Sequence, residues 1–191
     1  MKESGRRRTL RSVLAEEWVT AIPDELERAF RAHHGLVFRT AYRITGNAAD
    51  AEDVLQTVFL RLVRREASAD RTENAVENQE SYLRRAAINA ALDVIRSRQS
   101  NPTVELPELS DEAVHGGHSG RTPELRQALG RALAQLKPRS AEIFTLRFLE
   151  GFSNSQIAHM LGISQMLVAV IVHRTRQQLR KELGAYLLKR T

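Results

Sequence analysis

The sequence contains no cysteine, which excludes a disulfide framework, a thiolate metal site and a cysteine nucleophile. That absence fits a reducing compartment, and a cytoplasmic location is the expectation. Long hydrophobic runs are missing as well. The longest, Met166 to Val172, falls far short of the roughly 20 apolar residues that cross a bilayer. The start carries Arg6-Arg7-Arg8, but Glu16 and Glu17 follow with no apolar stretch before them, so it does not read as a signal peptide. A soluble protein without membrane insertion is expected. No segment alternates apolar and polar residues as a half-buried strand does. No glycine-rich phosphate loop occurs, and no serine or histidine sits in a motif that marks a nucleophile. An enzyme is therefore the weakest reading, and no cofactor is expected.

What is present is helical spacing, with 42% hydrophobic residues to build cores. The expected fold class is all-α: two small helical domains joined by a flexible linker. After an N-terminal extension, residues 1–23, a first domain is expected over 24–100. Leu26, Phe30, Val37, Ala41 and Ile44 mark a helix that Gly46-Asn47 stops. A second helix, from about Ala49 to Arg65, has Val54, Val58 and Leu62 in one stripe with Leu55, Phe59 and Val63 beside it. Asp50, Glu52 and Asp53 lie at its N-terminus, where the helix dipole favours negative charge. Residues 67–80 turn polar and read as a loop. A third helix, Ser81 to about Arg98, buries Tyr82, Leu83, Ala86, Ala87, Ala90, Ala91, Val94 and Ile95, leaving Arg84, Arg85, Asn89, Asp93, Arg96 and Arg98 for its outer faces.

Residues 101–122 hold two prolines, Gly116-Gly117 and acidic residues without apolar period, and form the expected flexible acidic linker. A second domain is expected over 123–191. Pro123 opens a helix faced by Leu125, Leu129, Leu133 and Leu136; Lys137-Pro138 ends it ahead of another bearing Ile143, Phe144, Leu146, Phe148 and Leu149. From Ser153 the chain reads as a helix-turn-helix. Ser153 and Gln156 have the spacing of a capping box, Ala158 permits close approach, Gly162 supplies the turn and Ser164 caps the next helix. Ile157, Leu161, Ile163, Val168 and Ile171 fall where the two helices must touch. DNA is the first partner this pattern suggests.

Charge placement agrees. Residues 24–100 balance twelve cations with twelve anions, whereas residues 123–191 hold eleven cations against four anions, a net of +7. Arg174, Arg176, Arg180, Lys181, Lys189 and Arg190 cluster after the turn, and such a cluster neutralises phosphates.

Asp50 to Leu62, then Tyr82 to Asp93, then the helix-turn-helix ending His173-Arg174-Thr175-Arg176 closely resemble, in order and spacing, the extracytoplasmic-function (ECF) sigma factors. The resemblance runs from about Leu26 to Leu183. It implies a protein that binds core RNA polymerase, recognises −10 and −35 promoter elements and initiates transcription of a dedicated regulon. It also implies an anti-sigma factor as a partner. It makes Asp50, Asp53, Gln56, Thr57 and Leu60 the polymerase-binding side, with Thr57 standing where an acidic residue is usual. It gives the −10 element to Arg84, Arg85, Asn89 and Arg96, with Asn74 or Asn78 reading a flipped base from the loop. It gives the −35 element to Ser164, Gln165, Met166, Ala169, Val170, His173, Arg174 and Arg176.

Two other classes use the same C-terminal unit: a helix-turn-helix transcriptional regulator that never touches polymerase, and a sigma-derived interaction adaptor. A ligand-sensing regulator needs a pocket or an α/β receiver pattern, and residues 24–100 read only as small helices. No metal site is expected. His33 and His34 are helix neighbours that face apart, and His115 and His118 have no further ligands at site-like spacing.

Overall fold

The computed structural model describes residues 24–67, 79–100 and 123–188. The extension 1–23, Asn74, Asn78, the linker 101–122 with His115 and His118, and Lys189 and Arg190 lie outside the described residues. Seven α-helices and no strand are found within them: α1 (Asp24–Thr45), α2 (Ala48–Ala67), α3 (Gln79–Ser100), α4 (Pro123–Ala134), α5 (Pro138–Phe148), α6 (Asn154–Leu161) and α7 (Gln165–Leu188). No single helix among them is long and apolar enough to cross a membrane.

Helices α1 to α3 pack on one another as the first domain. The break between α1 and α2 follows from Gly46-Asn47. Gly46 takes a left-handed φ of 70° and donates its N–H to Tyr42 O at 2.9 Å, closing α1. Asn47 Oδ1 then accepts the Asp50 N–H at 3.1 Å, capping α2. The core takes Val37 and Ala41 from α1, Val54 and Val58 from α2, and Leu83, Ala87, Ile88, Ala91 and Leu92 from α3. Each fully buried Val, Leu or Ile contributes about 1.5–3 kcal/mol relative to exposure. The alanines of α3 bring its backbone close to its neighbours. The expected stripes are not met everywhere: on α3 Tyr82, Ala86 and Val94 are half-buried, while Ile88 and Leu92, which the stripes left out, are fully buried. Phe30 is 43% exposed and Val63 37% exposed, while Phe59, expected beside the main stripe, is buried. Phe30 lies edge-on to Phe59 with ring centroids 4.9 Å apart, covering it from outside.

In the second domain α7 packs against α4, α5 and α6. Leu133, Ile143, Leu146, Ile157 and Val168 are its fully buried centre. Pro138 sits in the first turn of α5, where a missing N–H costs nothing.

The two domains touch. Helix α3 packs on α4 and α5, and one apolar cluster runs from Val37 through Leu92 to Leu146. The outer-face assignment of Arg84, Arg85, Asn89 and Arg96 is corrected here: all four are half-buried. For Arg84, Arg85 and Asn89 the cause is the acids of the second domain, described below.

Candidate nucleic-acid and polymerase interfaces

The helix-turn-helix is built as its residues dictate. Ser153 Oγ accepts the Gln156 N–H at 3.2 Å while Gln156 Oε1 accepts the Ser153 N–H at 2.8 Å, completing the capping box. Gly162, at φ 61° and ψ 37°, ends α6 in the left-handed conformation that a Cβ disfavours. Ser164 Oγ accepts the Leu167 N–H at 3.2 Å and so starts α7. The chain direction turns by 112° between α6 and α7, inside the range of DNA-reading pairs. Ile157 and Val168 are fully buried where the helices meet, and Leu161, Ile163 and Ile171 pack around them.

This packing leaves the opposite face of α7 open. Ser164, Gln165, Met166, Ala169, Val170, His173, Arg174 and Arg176 are all exposed. Leu167, which the sequence reading left out, joins them at 45% exposure. A helical projection places it beside Met166 and Val170, so the apolar part of the face is broader than the sequence pattern implied. His173 Nε2 lies 3.0 Å from Gln177 Nε2.

On α2, Asp53, Gln56 and Leu60 fall on one exposed face at spacings of three and four, and Thr57 is half-buried beside them. Asp50 does not join them. It is 7% exposed and its Oδ2 lies 2.5 Å from Arg98 Nη1, which ties the start of α2 to the end of α3. Its position in the first turn gave no sign of this, because the partner stands far along the sequence. Gln56 also lines an open groove of about 490 Å³ between α1 and α2, together with His34, Phe38, Arg39, Glu52 and Leu55. Gly35, Phe38 and Arg39 are wall residues that sequence reasoning missed, since nothing local to α1 predicts that they face α2.

On α3 the cations are engaged within the chain. Arg84 Nη1 donates to Glu150 Oε2, and its Nη2 to Glu80 Oε1 at 2.6 Å. Its guanidinium also lies 5.2 Å from the Phe152 ring centre. Arg85 Nε donates to Glu142 Oε1 at 2.8 Å, and its Nη1 to Met160 O at 3.3 Å, at the end of α6. Asn89 Nδ2 reaches the same Glu142 Oε1 at 3.5 Å. Arg96 pairs with Asp93 at 2.9 Å on its own helix. Among the described residues no group of three metal-ligating side chains occurs, and His34 Nδ1 lies 3.0 Å from Phe30 O.

Residues 29–101 match the Sigma-70 region 2 family and residues 126–179 match Sigma-70, region 4. The chain is 33% identical over 165 residues to the ECF RNA polymerase sigma factor SigE of Mycolicibacterium smegmatis, covering 82% of this chain and 60% of that one. It is 31% identical over 163 residues to the RNA polymerase sigma-E factor of Streptomyces coelicolor, covering 84% of this chain and 87% of that one. Among solved structures it aligns with the sigma factor RpoE of Bartonella quintana, crystallised with the anti-sigma factor NepR, at 20% identity, covering 84% of this chain and 97% of that one with a TM-score of 0.48. Two sigma regions in order, and relatives of more than 30% identity matched over most of this chain, carry one conclusion: the chain belongs to the ECF sigma factors of bacterial RNA polymerase.

Proposed function

We propose that this chain binds core RNA polymerase in the cytoplasm, directs it to promoters through −10 and −35 elements, and catalyses no reaction itself. The observation that carries the reading is one chain holding two unlike exposed faces: the Asp53, Gln56 and Leu60 side of α2, suited to a protein surface, and the helix-turn-helix face of α7 with Arg174 and Arg176. A regulator acting on duplex DNA alone has no use for the first. The α2 side and the adjoining groove take the polymerase clamp, with Gln56 and Glu52 offering polar contacts and Leu60 an apolar one. The α7 face takes the −35 duplex, where Arg174 and Arg176 hold phosphates or a guanine and the apolar side chains meet thymine methyl groups. The α3 face, Arg84, Arg85, Asn89 and Arg96, follows the −10 strand, with Asn74 or Asn78 holding a base out of the stack. Residues 101–122 tether the domains, and an anti-sigma protein competes for these surfaces.

Run-off transcription with purified core polymerase on a promoter library tests the reading. Transcripts that start at a shared pair of upstream elements, and only with this chain added, are the expected result. DNA binding without any polymerase-dependent transcript would make the protein a regulator instead.

A further inference from the structure

The groove of about 490 Å³ between α1 and α2 continues past its lining residues toward the start of α1. On the α1 wall, His34 and Phe38 are followed one turn back by Phe30, whose ring stacks on His34 with centroids 5.3 Å apart. On the α2 wall, Glu52, Leu55 and Gln56 are followed by Phe59 and Val63 at helical spacing. Phe30 and Val63 stay exposed there, and Leu60, at the outer edge, is 54% exposed. An apolar trough therefore runs along the seam of the two helices and opens where α1 begins at Asp24. Large apolar side chains gathered at one wet edge mark a surface that another segment covers. The chain itself brings such a segment to that edge. Twenty-three residues precede Asp24, and among them Leu10, Val13, Leu14 and Trp18 share one face at helical spacing. Pro23 disfavours a helical Ile22, which favours a change of direction just before α1. Counted back from Pro23 and forward along α1 in the antiparallel sense, Trp18 comes level with Phe30, Leu14 with His34 and Leu10 with Phe38. Both series step by four, so one face of the segment follows one wall of the trough. Glu17, the one charge on that face, comes level with Arg31, which is exposed on the groove side of α1.

We infer that residues 10–22 occupy this groove in the free chain, antiparallel to α1 with Trp18 against Phe30 and Val63, and that core polymerase must displace them to bind. The inference rests on the reading of the α2 side and its groove as the polymerase interface. A helix laid into an apolar groove is a common mode of segment recognition. Thirteen residues span about 20 Å as a helix, against about 12 Å from Phe30 to Phe38, so the segment cannot fill the trough and leave Gln56 and Leu60 open. Being part of the same chain, it faces the groove at an effective concentration on the order of millimolar, and a weak contact suffices to hold it. Few side chains make that contact, so a larger protein interface removes it. The segment is thus a guard on the polymerase side that sets how readily the chain takes core enzyme.

The test uses the full chain, whose single tryptophan is Trp18 itself. Its fluorescence emission is read in the native chain, in Leu14→Glu, which spoils the segment, and in Val63→Glu, which spoils the receiving edge at an exposed position. Native emission should lie to the blue of the emission in urea. Both substitutions should move it to the urea value at unchanged helical circular dichroism. The native chain and Leu14→Glu are then titrated with purified core polymerase. Leu14→Glu should bind roughly tenfold tighter, the factor by which a covered population of about nine in ten lowers apparent affinity. Native emission already at the urea value overturns the docking. A shift in Leu14→Glu without one in Val63→Glu overturns the placement, since Trp18 is then buried elsewhere. Shifted emission in both with unchanged core affinity overturns the competition. Failure of both forms to bind core strikes instead at the polymerase reading, while the emission alone still decides whether the segment lies in the groove.

Discussion

Helix α3 turns its cations inward and α7 turns its apolar residues outward. Arg84 and Arg85 are held by Glu150 and Glu142, whereas Met166 is 78% exposed and Val170 39%. On α3 the paired cations are covered, whereas α7 leaves both its apolar start and its cations, Arg174, Arg176, Arg180 and Lys181, uncovered. Charge content alone therefore misjudges both. The first domain, balanced in charge by sequence, owns a concentrated basic face that its partner domain neutralises. The second, strongly basic by sequence, places Arg174 and Lys181 on one edge of the open face of α7, Arg176 and Arg180 on the other, and an apolar patch toward its start.

The comparison breaks most severely if the two domains share one folding unit. Ile157→Ala removes a fully buried side chain from the helix-turn-helix, and core truncations of this kind cost about 2–5 kcal/mol. Urea unfolding followed by circular dichroism should show the loss. If the interface between α3 and α5 is a releasable contact, the first domain keeps its own transition while the second melts early. A single transition shifted as a whole would make the apolar cluster one core and would take the distinction between the domains away.

A smaller effect is expected at the polymerase side. Asp53→Ala with Gln56→Ala removes two polar groups one helical turn apart from an exposed face. Affinity for core enzyme should fall about tenfold, equivalent to about 1.4 kcal/mol, with native helicity retained. Unchanged affinity would put the clamp surface on another face. The groove wall at Arg39 and Glu52 is the next to probe.

How far the sequence revealed these features depends on the distance over which each acts. The caps and turn of the helix-turn-helix were legible because Ser153 and Gln156, or Gly162 and Ser164, act within a few positions. Ser153→Ala should accordingly cost about 1 kcal/mol through the lost cap, seen as a modest fall in melting temperature at unchanged fold. The stripes of α1 and α2 were legible from period, apart from Phe30 and Val63 at their edges, but on α3 the period left out the fully buried Ile88 and Leu92 and took in Tyr82, Ala86 and Val94, which are half-buried. The ties of Arg84, Arg85 and Asn89 were not, because Glu142 and Glu150 stand 53–66 residues away in the chain. The tie of Asp50 to Arg98 was hidden for the same reason: a first-turn acid looks alike whether its partner is solvent, the helix dipole or a distant arginine.

The finest distinction concerns the apolar face of α7, where the expected effects are smallest and their direction decides. Arg174→Ala removes an exposed cation and should weaken −35 binding a few-fold on every sequence. The slope of log affinity against log salt should drop by about one unit, as the loss of one phosphate contact requires. Val170→Arg adds a cation four residues earlier, on the neighbouring part of the same face. If that face looks at DNA, the added charge lies near phosphate and affinity holds or rises slightly, while discrimination at thymines declines with the loss of an apolar contact. If Met166, Leu167 and Val170 instead dock a protein, for which an anti-sigma factor is the proposed partner, the same substitution leaves DNA binding unaltered and abolishes capture of that protein. Fluorescence anisotropy on −35 duplexes, run beside a pull-down with that partner, separates the two. The second outcome would remove Ala169 and Val170 from the base-contacting set and leave Gln165, His173, Arg174 and Arg176 to read the promoter alone.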